Sequence, residues 1–459
     1  MQFAMLGLAL AGLLFAACGG GDASEEEATP DFGRIVYWDE LSFAPGEPSS
    51  IVAAIADQLF AADPEMALPF LVDLAYVPGP FAARAFEELK LRFDDPLARN
   101  AFDIDGLFGA KEPADDSPEY LEFKRKLFRT IQTAYDRILS PQLPRTVSAQ
   151  EVVWGGVGID GIPPLESPHF VTVEEAANWI RPTDEVIGLE IEGDARAYPI
   201  RIIGWHEMVN DTVGGIPVSL SYCTLCGTAI VYDGRVNDQV IRFGTSGLLY
   251  RSNKLMYDRA SFTLWNQFSG EPVWGSFVAL DTRLQSIPSV TSSYEDWVAA
   301  HPDTLVLDIE TGWIRDYGPG KAYEEYNGSP LLIFGVPEVD DRLPQKSIVF
   351  VLTVGDETRA YPVRGLDDEP IIHDTVGGED VIVLATEGGD GARAFVAEGL
   401  RIVASEGGRV TSEDGRSWTV TEAALVADDG TQLERLAGHN SFWFAVVNLA
   451  QNGSVWGLD

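Results

Sequence analysis

The chain has 459 residues, enough for two or three domains whose cores need no disulfide staples. Hydrophobic residues make up 46% and charged residues 22%, the balance of an ordinary globular protein. Against 32 basic residues stand 71 acidic ones, a formal charge of -39, and a field of that sign repels phosphate backbones and argues against nucleic-acid binding.

Met1 to Ala17 carries no charged side chain and is apolar almost throughout, yet is too short to span a bilayer. It ends Leu14-Phe15-Ala16-Ala17-Cys18, small residues directly before a cysteine, which resembles a bacterial lipoprotein cleavage site. The resemblance implies a signal peptide over 1–17 and a lipid-bearing Cys18, although the basic start usual for such signals is missing. Gly19-Gly20-Gly21-Asp22-Ala23-Ser24-Glu25-Glu26-Glu27 then opens an acidic flexible tether over 18–47. An exported protein held on a bacterial membrane, on its periplasmic or extracellular face, is expected. Of three cysteines, only Cys223 and Cys226 then remain, and in an oxidising compartment they pair or are held by a metal.

From 48 to 145 the pattern predicts a small helical module. Ser50 to Phe60 has apolar residues at three- and four-residue spacing after a Ser cap. Similar stretches run from Met66 to Leu74, Phe81 to Leu91 and Pro118 to Leu139, with Pro and Gly punctuating the gaps. Past Pro144 the texture changes to short strands, such as Val186–Ile191, Pro217–Tyr222 and Ala229–Tyr232. Two short helices interrupt them, one from the capping box Thr172-Val173-Glu174-Glu175 and one over Tyr294–Ala300.

This part carries an internal repeat. Arg196-Ala197-Tyr198-Pro199-Ile200-Arg201 recurs as Arg359-Ala360-Tyr361-Pro362-Val363-Arg364. Asn210-Asp211-Thr212-Val213-Gly214-Gly215 recurs in the same register as His373-Asp374-Thr375-Val376-Gly377-Gly378. The expected fold is therefore multidomain α + β: the helical module, then a β-rich module of two duplicated units, 146–345 and 346–459, packed face to face. In this register Cys223 falls on Thr386, Cys226 on Gly389 and His206 on Glu369. The repeated motifs read as scaffold, and chemistry is assigned to the first copy.

Several longer motifs resemble one family: Trp205-His206-Glu207-Met208-Val209-Asn210-Asp211, Ser221-Tyr222-Cys223-Thr224-Leu225-Cys226-Gly227, Phe243-Gly244-Thr245-Ser246-Gly247 and Met256-Tyr257-Asp258-Arg259. With Thr311 to Gly318 and His439 to Ala445, they are similar to the domain-of-unknown-function 3179 family over roughly Gly161 to Ala445. The proline usual inside the family's cysteine motif is Thr224 here. The resemblance brings no established activity.

The flanks of Cys223-Thr-Leu-Cys226-Gly227 read as strands, so the cysteines are expected in a hairpin turn, not at a helix N-terminus. Such a turn resembles the knuckles of zinc ribbons and rubredoxins, with Gly227 supplying a positive φ. No second knuckle exists, so further metal ligands must come from elsewhere. His206 leads, and Met256, following a Gly244–Gly247 loop, is second. Two thiolates, an imidazole and a thioether form a soft set that suits copper, whereas the set without Met256 suits zinc or iron equally. A metal site would serve electron transfer or metal handling, with a redox or metal-delivery partner. Two rivals stay open: a metal-free thiol–disulfide oxidoreductase using Cys223 and Cys226, and a binding or scaffold protein with an inert disulfide whose function lies in a cleft between the copies. A disulfide across so short a loop contributes only about 2 kcal/mol. His169, His301, His373 and His439 are weaker candidates. Asp258-Arg259 and Arg315-Asp316 read as loop-fixing ion pairs, and Trp265, Trp274, Trp297 and Trp418 as core.

Overall fold

The computed structural model describes residue 57, residues 59–61, 64–98, 104 and 116–458, except 238, 367 and 451. The expected signal, tether and Cys18, and most of the Ser50–Phe60 stretch, lie outside those residues.

Helices α1 (Pro64–Tyr76) and α2 (Ala82–Arg92) form close to the predicted limits, and α3 (Pro118–Ile131) starts where predicted. Ser117 caps α3 by accepting from the Tyr120 N–H, and Pro118 sits at its start, where no N–H is needed. Asp73 of α1 accepts from Lys124 Nζ at 2.7 Å and Tyr120 OH at 2.9 Å, a buried pair that fixes α3 against α1. The predicted Pro118–Leu139 helix breaks at Gln132, which is extended, before a short α4 (Tyr135–Ile138). Gln132 Oε1 accepts from the Ile159 N–H at 2.8 Å, a tertiary bond that local periodicity does not register. Tyr135 OH donates to Ser246 O at 2.8 Å, and Phe128, Tyr135 and Leu139 share one buried cluster with Val152, Leu249 and Trp274. The helices thus share a core with the strands.

The capping box at Thr172 forms and opens α5 (Val173–Ala176). Strands β1 (Glu185–Ile191) and β2 (Asp194–Pro199) make a hairpin, followed by helix α6 (Ile200–His206). Strands β3 (Met208–Val213), β4 (Ile216–Cys223) and β5 (Thr228–Asp233) pair antiparallel in order, as do β6 (Phe243–Tyr250), β7 (Asn253–Asp258) and β8 (Leu264–Asn266). Met208, Ile230 and Tyr232 of the first sheet pack on Phe243, Met256 and Trp265 of the second, so the sheets lie face to face. Strand alternation sends Val218, Leu220 and Tyr222 of β4 into the core beside α6, and therefore Ser219, Ser221 and Cys223 to the opposite face.

The stretch Gly244–Gly247 is not a loop but the start of β6, with a register shift between Thr245 and Leu249. A Cβ at Gly244 would lie 2.4 Å from Tyr257 Cε1, and Gly247 (φ 73°) passes close to Val157 O. The glycines therefore serve strand packing and a bulge.

After α7 (Tyr294–Ala300) and α8 (Glu324–Asn327), the order hairpin, short helix, hairpin returns: β9 (Ile348–Val354), β10 (Glu357–Pro362), α9 (Val363–Leu366), β11 (Ile371–Val376) and β12 (Glu379–Ala385). Tyr198 OH donates to Asp211 at 2.8 Å, and Tyr361 OH donates to Asp374 at 3.0 Å. A Cβ at Gly214 would stand 2.3 Å from Ile191 O, and one at Gly377 2.2 Å from Val354 O, so both turns require glycine. Strand β13 (Ala392–Val396) pairs with β12, and β14 (Gly438–Phe442) pairs with β9 and leads into α10 (Trp443–Leu449).

The four tryptophans predicted as core are all fully buried. Asp258 and Arg259 do not pair with each other. Asp258 accepts from the N–H groups of Ala260, Ser261 and Thr263, while Arg259 bridges Asp160 and Glu166. Likewise Arg315 donates to Ile314 O and Asp316 accepts from the Gly318 N–H. Backbone groups and distant carboxylates take up these side chains, which is why adjacency misled in both cases.

Candidate functional site

Cys223 closes β4 opposite Thr228, the first residue of β5, and the four residues between them form the turn. The Cys226 N–H donates to Cys223 O at 3.1 Å, and Gly227 has φ 59°, so the cysteines occupy a hairpin turn as expected. The two sulfurs lie 3.1 Å apart and are 1% and 0% exposed, which bars bulk solvent from both.

The opposing β6–β7 hairpin supplies the surroundings. Its turn residues Arg251 and Ser252 both have positive φ (48° and 62°), a conformation that Asn-Gly ordinarily provides. Arg251 is held by Glu151 at 2.7 Å and by Asn448 O at 3.1 Å. This turn presents Ser252 O to the Cys226 thiol at 3.4 Å, and Asn253 Nδ2 stands 3.3 Å from the same sulfur. Gln267 Nε2 donates to Ser221 O and Thr228 O, so its Oε1 accepts from Asn253 Nδ2 at 2.9 Å, which fixes the orientation of the Asn253 amide. Three buried oxygens in this neighbourhood are left without a partner: Asn253 Oδ1, Ser221 Oγ and Ser252 Oγ.

On the other side lies a buried ion pair. Glu207 ends α6 in the left-handed region, φ 56°, which is uncommon for a side chain of its kind. That turn aims its carbonyl at Lys254 Nζ, 2.7 Å away, and leaves its carboxylate 3.5 Å from the same ammonium. The carboxylate also accepts from Thr224 Oγ1 at 2.9 Å and Tyr323 OH at 3.2 Å, tying it to the cysteine turn. Burial pushes the Lys254 ammonium down, with Glu207 and Cys223 opposing. Burial also pushes the Cys223 thiol up, but the hydrogen bond shared with Cys226 and the N–H groups of Lys254 and Cys226 carry it below its ordinary value. The Cys226 thiol is raised well above its ordinary value by burial and by the adjacent Cys223 sulfur.

Residues further along the chain clasp the turn. The Phe442 N–H of β14 donates to Cys226 O at 2.7 Å, and Thr228 Oγ1 lies 2.9 Å from Ser441 Oγ. The Phe442 ring covers Gly227 so closely that a Cβ there would stand 3.2 Å from it. Tyr326 OH donates to Leu225 O at 2.7 Å.

His206 is fully buried and uses both ring nitrogens elsewhere. Nδ1 lies 2.7 Å from Pro163 O and therefore carries the proton, while Nε2 accepts from Tyr317 OH at 2.6 Å. Burial lowers its pKa, so the ring is held neutral. Met256 lies on the Lys254 face of β7, two residues further on, in the apolar layer with Met208, Phe243 and Trp265. Among the described residues, no group of three or more His, Cys, Asp or Glu side chains is placed to hold a metal ion. The structure thus brings Cys223 and Cys226 together without His206. His169 pairs with Asp308, His301 stacks on Trp297, His373 bonds the Ile402 backbone and His439 packs against Phe268.

Lys254, Asn253 and Tyr323 escaped the sequence reading, while Glu207 and Phe442 stood in its motifs without a role, Glu207 as a solvated neighbour of His206 that the structure instead buries. Lys254 left one trace: a lysine sharing the face of buried Met256 cannot be solvated. Beside the turn runs a cleft of about 560 Å³ between the two repeats, with Thr224, Gly227 and Phe442 in its lining.

These features define a β-rich protein in which a cysteine hairpin is buried between two sheets and braced by strand β14. Comparison with protein families matches residues 159–452 to the family described as protein of unknown function (DUF3179), and the chain belongs to that family. No curated protein and no solved structure matches the chain.

Proposed function

We propose that the protein is an exported lipoprotein, anchored through Cys18, whose Cys223–Cys226 pair is a reversible dithiol–disulfide couple. One observation carries this reading: two buried sulfurs 3.1 Å apart, with Cys223 shifted toward the thiolate and Cys226 away from it. That separation is about 1 Å longer than a disulfide bond. In exchange with a small disulfide RSSR, Cys223 attacks one sulfur as the thiolate, and its proton leaves on the expelled sulfur as the first RSH. Cys226 then attacks Cys223 Sγ, and its proton leaves on the second expelled sulfur as RSH. The dithiol and RSSR thus become the protein disulfide and two RSH, with two electrons transferred. Burial of both sulfurs favours small disulfides over those of folded proteins.

A second reading, a soft copper ion, rests on the two adjacent thiolates, the donor type that selects Cu(I). The paired bonds of Tyr198 and Tyr361, and the two crowded turn glycines, support reading 146–345 and 346–459 as copies of one ancestral unit after a helical module at 48–145.

The test is anaerobic purification of the mature protein with elemental analysis, thiol titration and equilibration in glutathione buffers. Metal-free protein with two titratable thiols that close and reopen with glutathione supports the couple. Stoichiometric copper lost in Cys223→Ser supports the second reading. A metal-free protein with an unreducible disulfide removes both.

A further inference from the structure

The cleft between the repeats contains two charged groups that the fold leaves without a counter-ion. Its basic residues are Arg201 and Lys346. Arg201 is satisfied by Asp184 at 2.8 Å and by the carbonyls of Trp179 and Tyr317. Lys346 differs. Its ammonium lies over the Tyr326 ring and donates to Tyr326 O and Ser329 O, and no carboxylate among the described residues pairs with it. An ammonium has three N–H donors, so one is left over.

Glu185, the first residue of β1, lines the same cleft and has no basic partner among the described residues. Glu185 is exposed at the cleft, and its carboxyl is raised by partial desolvation and by Asp390, so a cation brought between the two carboxylates would relieve their repulsion. The lining also includes the apolar side chains of Ile187, Ile348 and Phe442 and the ring of Tyr222. The cavity, about 560 Å³, is of the size that takes a small organic ligand.

We propose that this cleft binds a small zwitterion of the amino-acid or short-peptide class, its carboxylate on Lys346, its amine on Glu185 and its apolar body on the Phe442 side. The site is independent of the thiol chemistry. Its position against Thr224 and Gly227 would let occupancy bear on the cysteine turn.

The test is titration calorimetry of the mature protein with alanyl-leucine, its N-acetyl derivative and its C-terminal amide. The free dipeptide is expected to bind one per chain, with each blocked form about tenfold weaker, the loss of one charged contact. Lys346→Gln should erase the penalty of the amide only, Glu185→Gln that of the acetyl form only, and Cys223→Ser neither. No binding at millimolar dipeptide, or binding of all three forms within twofold, overturns the proposal on the unmutated protein whether or not the variants fold. Variants that fold but keep both penalties also overturn it.

Discussion

The two repeats answer the same local problem with different side chains. In the first, the Cys226 N–H donates to Cys223 O at 3.1 Å. In the second, at the same offset, the Gly389 N–H donates to Thr386 O at 3.0 Å. The left-handed glycine follows the donor in the first turn (Gly227, φ 59°) and is the donor itself in the second (Gly389, φ 71°), whose turn runs two residues longer. The closing hydrogen bond is thus kept without either sulfur, while the backbone path differs. What the first turn has, and the second lacks, is a facing hairpin that carries Asn253 and Lys254, and a left-handed Glu207 tied to Thr224. Strand β14 touches both turns, giving the Phe442 N–H to Cys226 O and the Asn440 amide to Asp390 O.

The largest expected effect comes from making the first turn resemble the second. Cys223→Thr with Cys226→Gly should leave a cooperatively folding protein that has lost all response to glutathione redox buffers. A protein that fails to fold would show that the thiols are part of the core, not an addition to it. Next, Lys254→Met strands the buried Glu207 carboxylate and should cost about 3–5 kcal/mol in urea unfolding. Adding Glu207→Gln should recover part of that, a coupling with no counterpart in the second turn.

Acid tests the clasp. Burial depresses the His439 pKa from 6.5 to about 4, so the unfolded chain takes up a proton before the folded one does. Stability from this residue is complete above pH 6.5 and should fall by about 1.4 kcal/mol per pH unit toward pH 4. The difference in urea midpoint between the native protein and His439→Asn should narrow over that window; a constant difference would count against it.

Smaller effects separate the turns further. Gly227→Ala and Gly389→Ala each force an alanine into the left-handed region at about 1–2 kcal/mol. The former should cost more, because Phe442 crowds it. Tyr198→Phe and Tyr361→Phe should each cost about 1 kcal/mol, equally within error, since both hydroxyls serve the same aspartate position. Thermal unfolding of the four variants measures all of these.

The helices at Pro64, Ala82, Pro118 and Tyr294, the capping box at Thr172 and the strands around the cysteines were legible because each rests on spacing within a dozen residues. So was the hairpin setting of Cys223 and Cys226, because strand flanks and Gly227 are local facts. The partners of the thiols were not. His206 stood out as a residue type that binds metals, yet its ring was already engaged by Pro163 and Tyr317, the latter 111 residues away in sequence. Lys254 and Asn253 reach the site because the β6–β8 sheet packs on β3–β5, and Phe442 reaches it because β14 pairs with β9. The sequence by itself determined which residues turn, which strands alternate and that two thiols share a hairpin, since these are set by backbone sterics and side-chain period. Only the tertiary structure decided what surrounds the thiols and shifts them in opposite directions, because burial and charge depend on elements that meet across the chain.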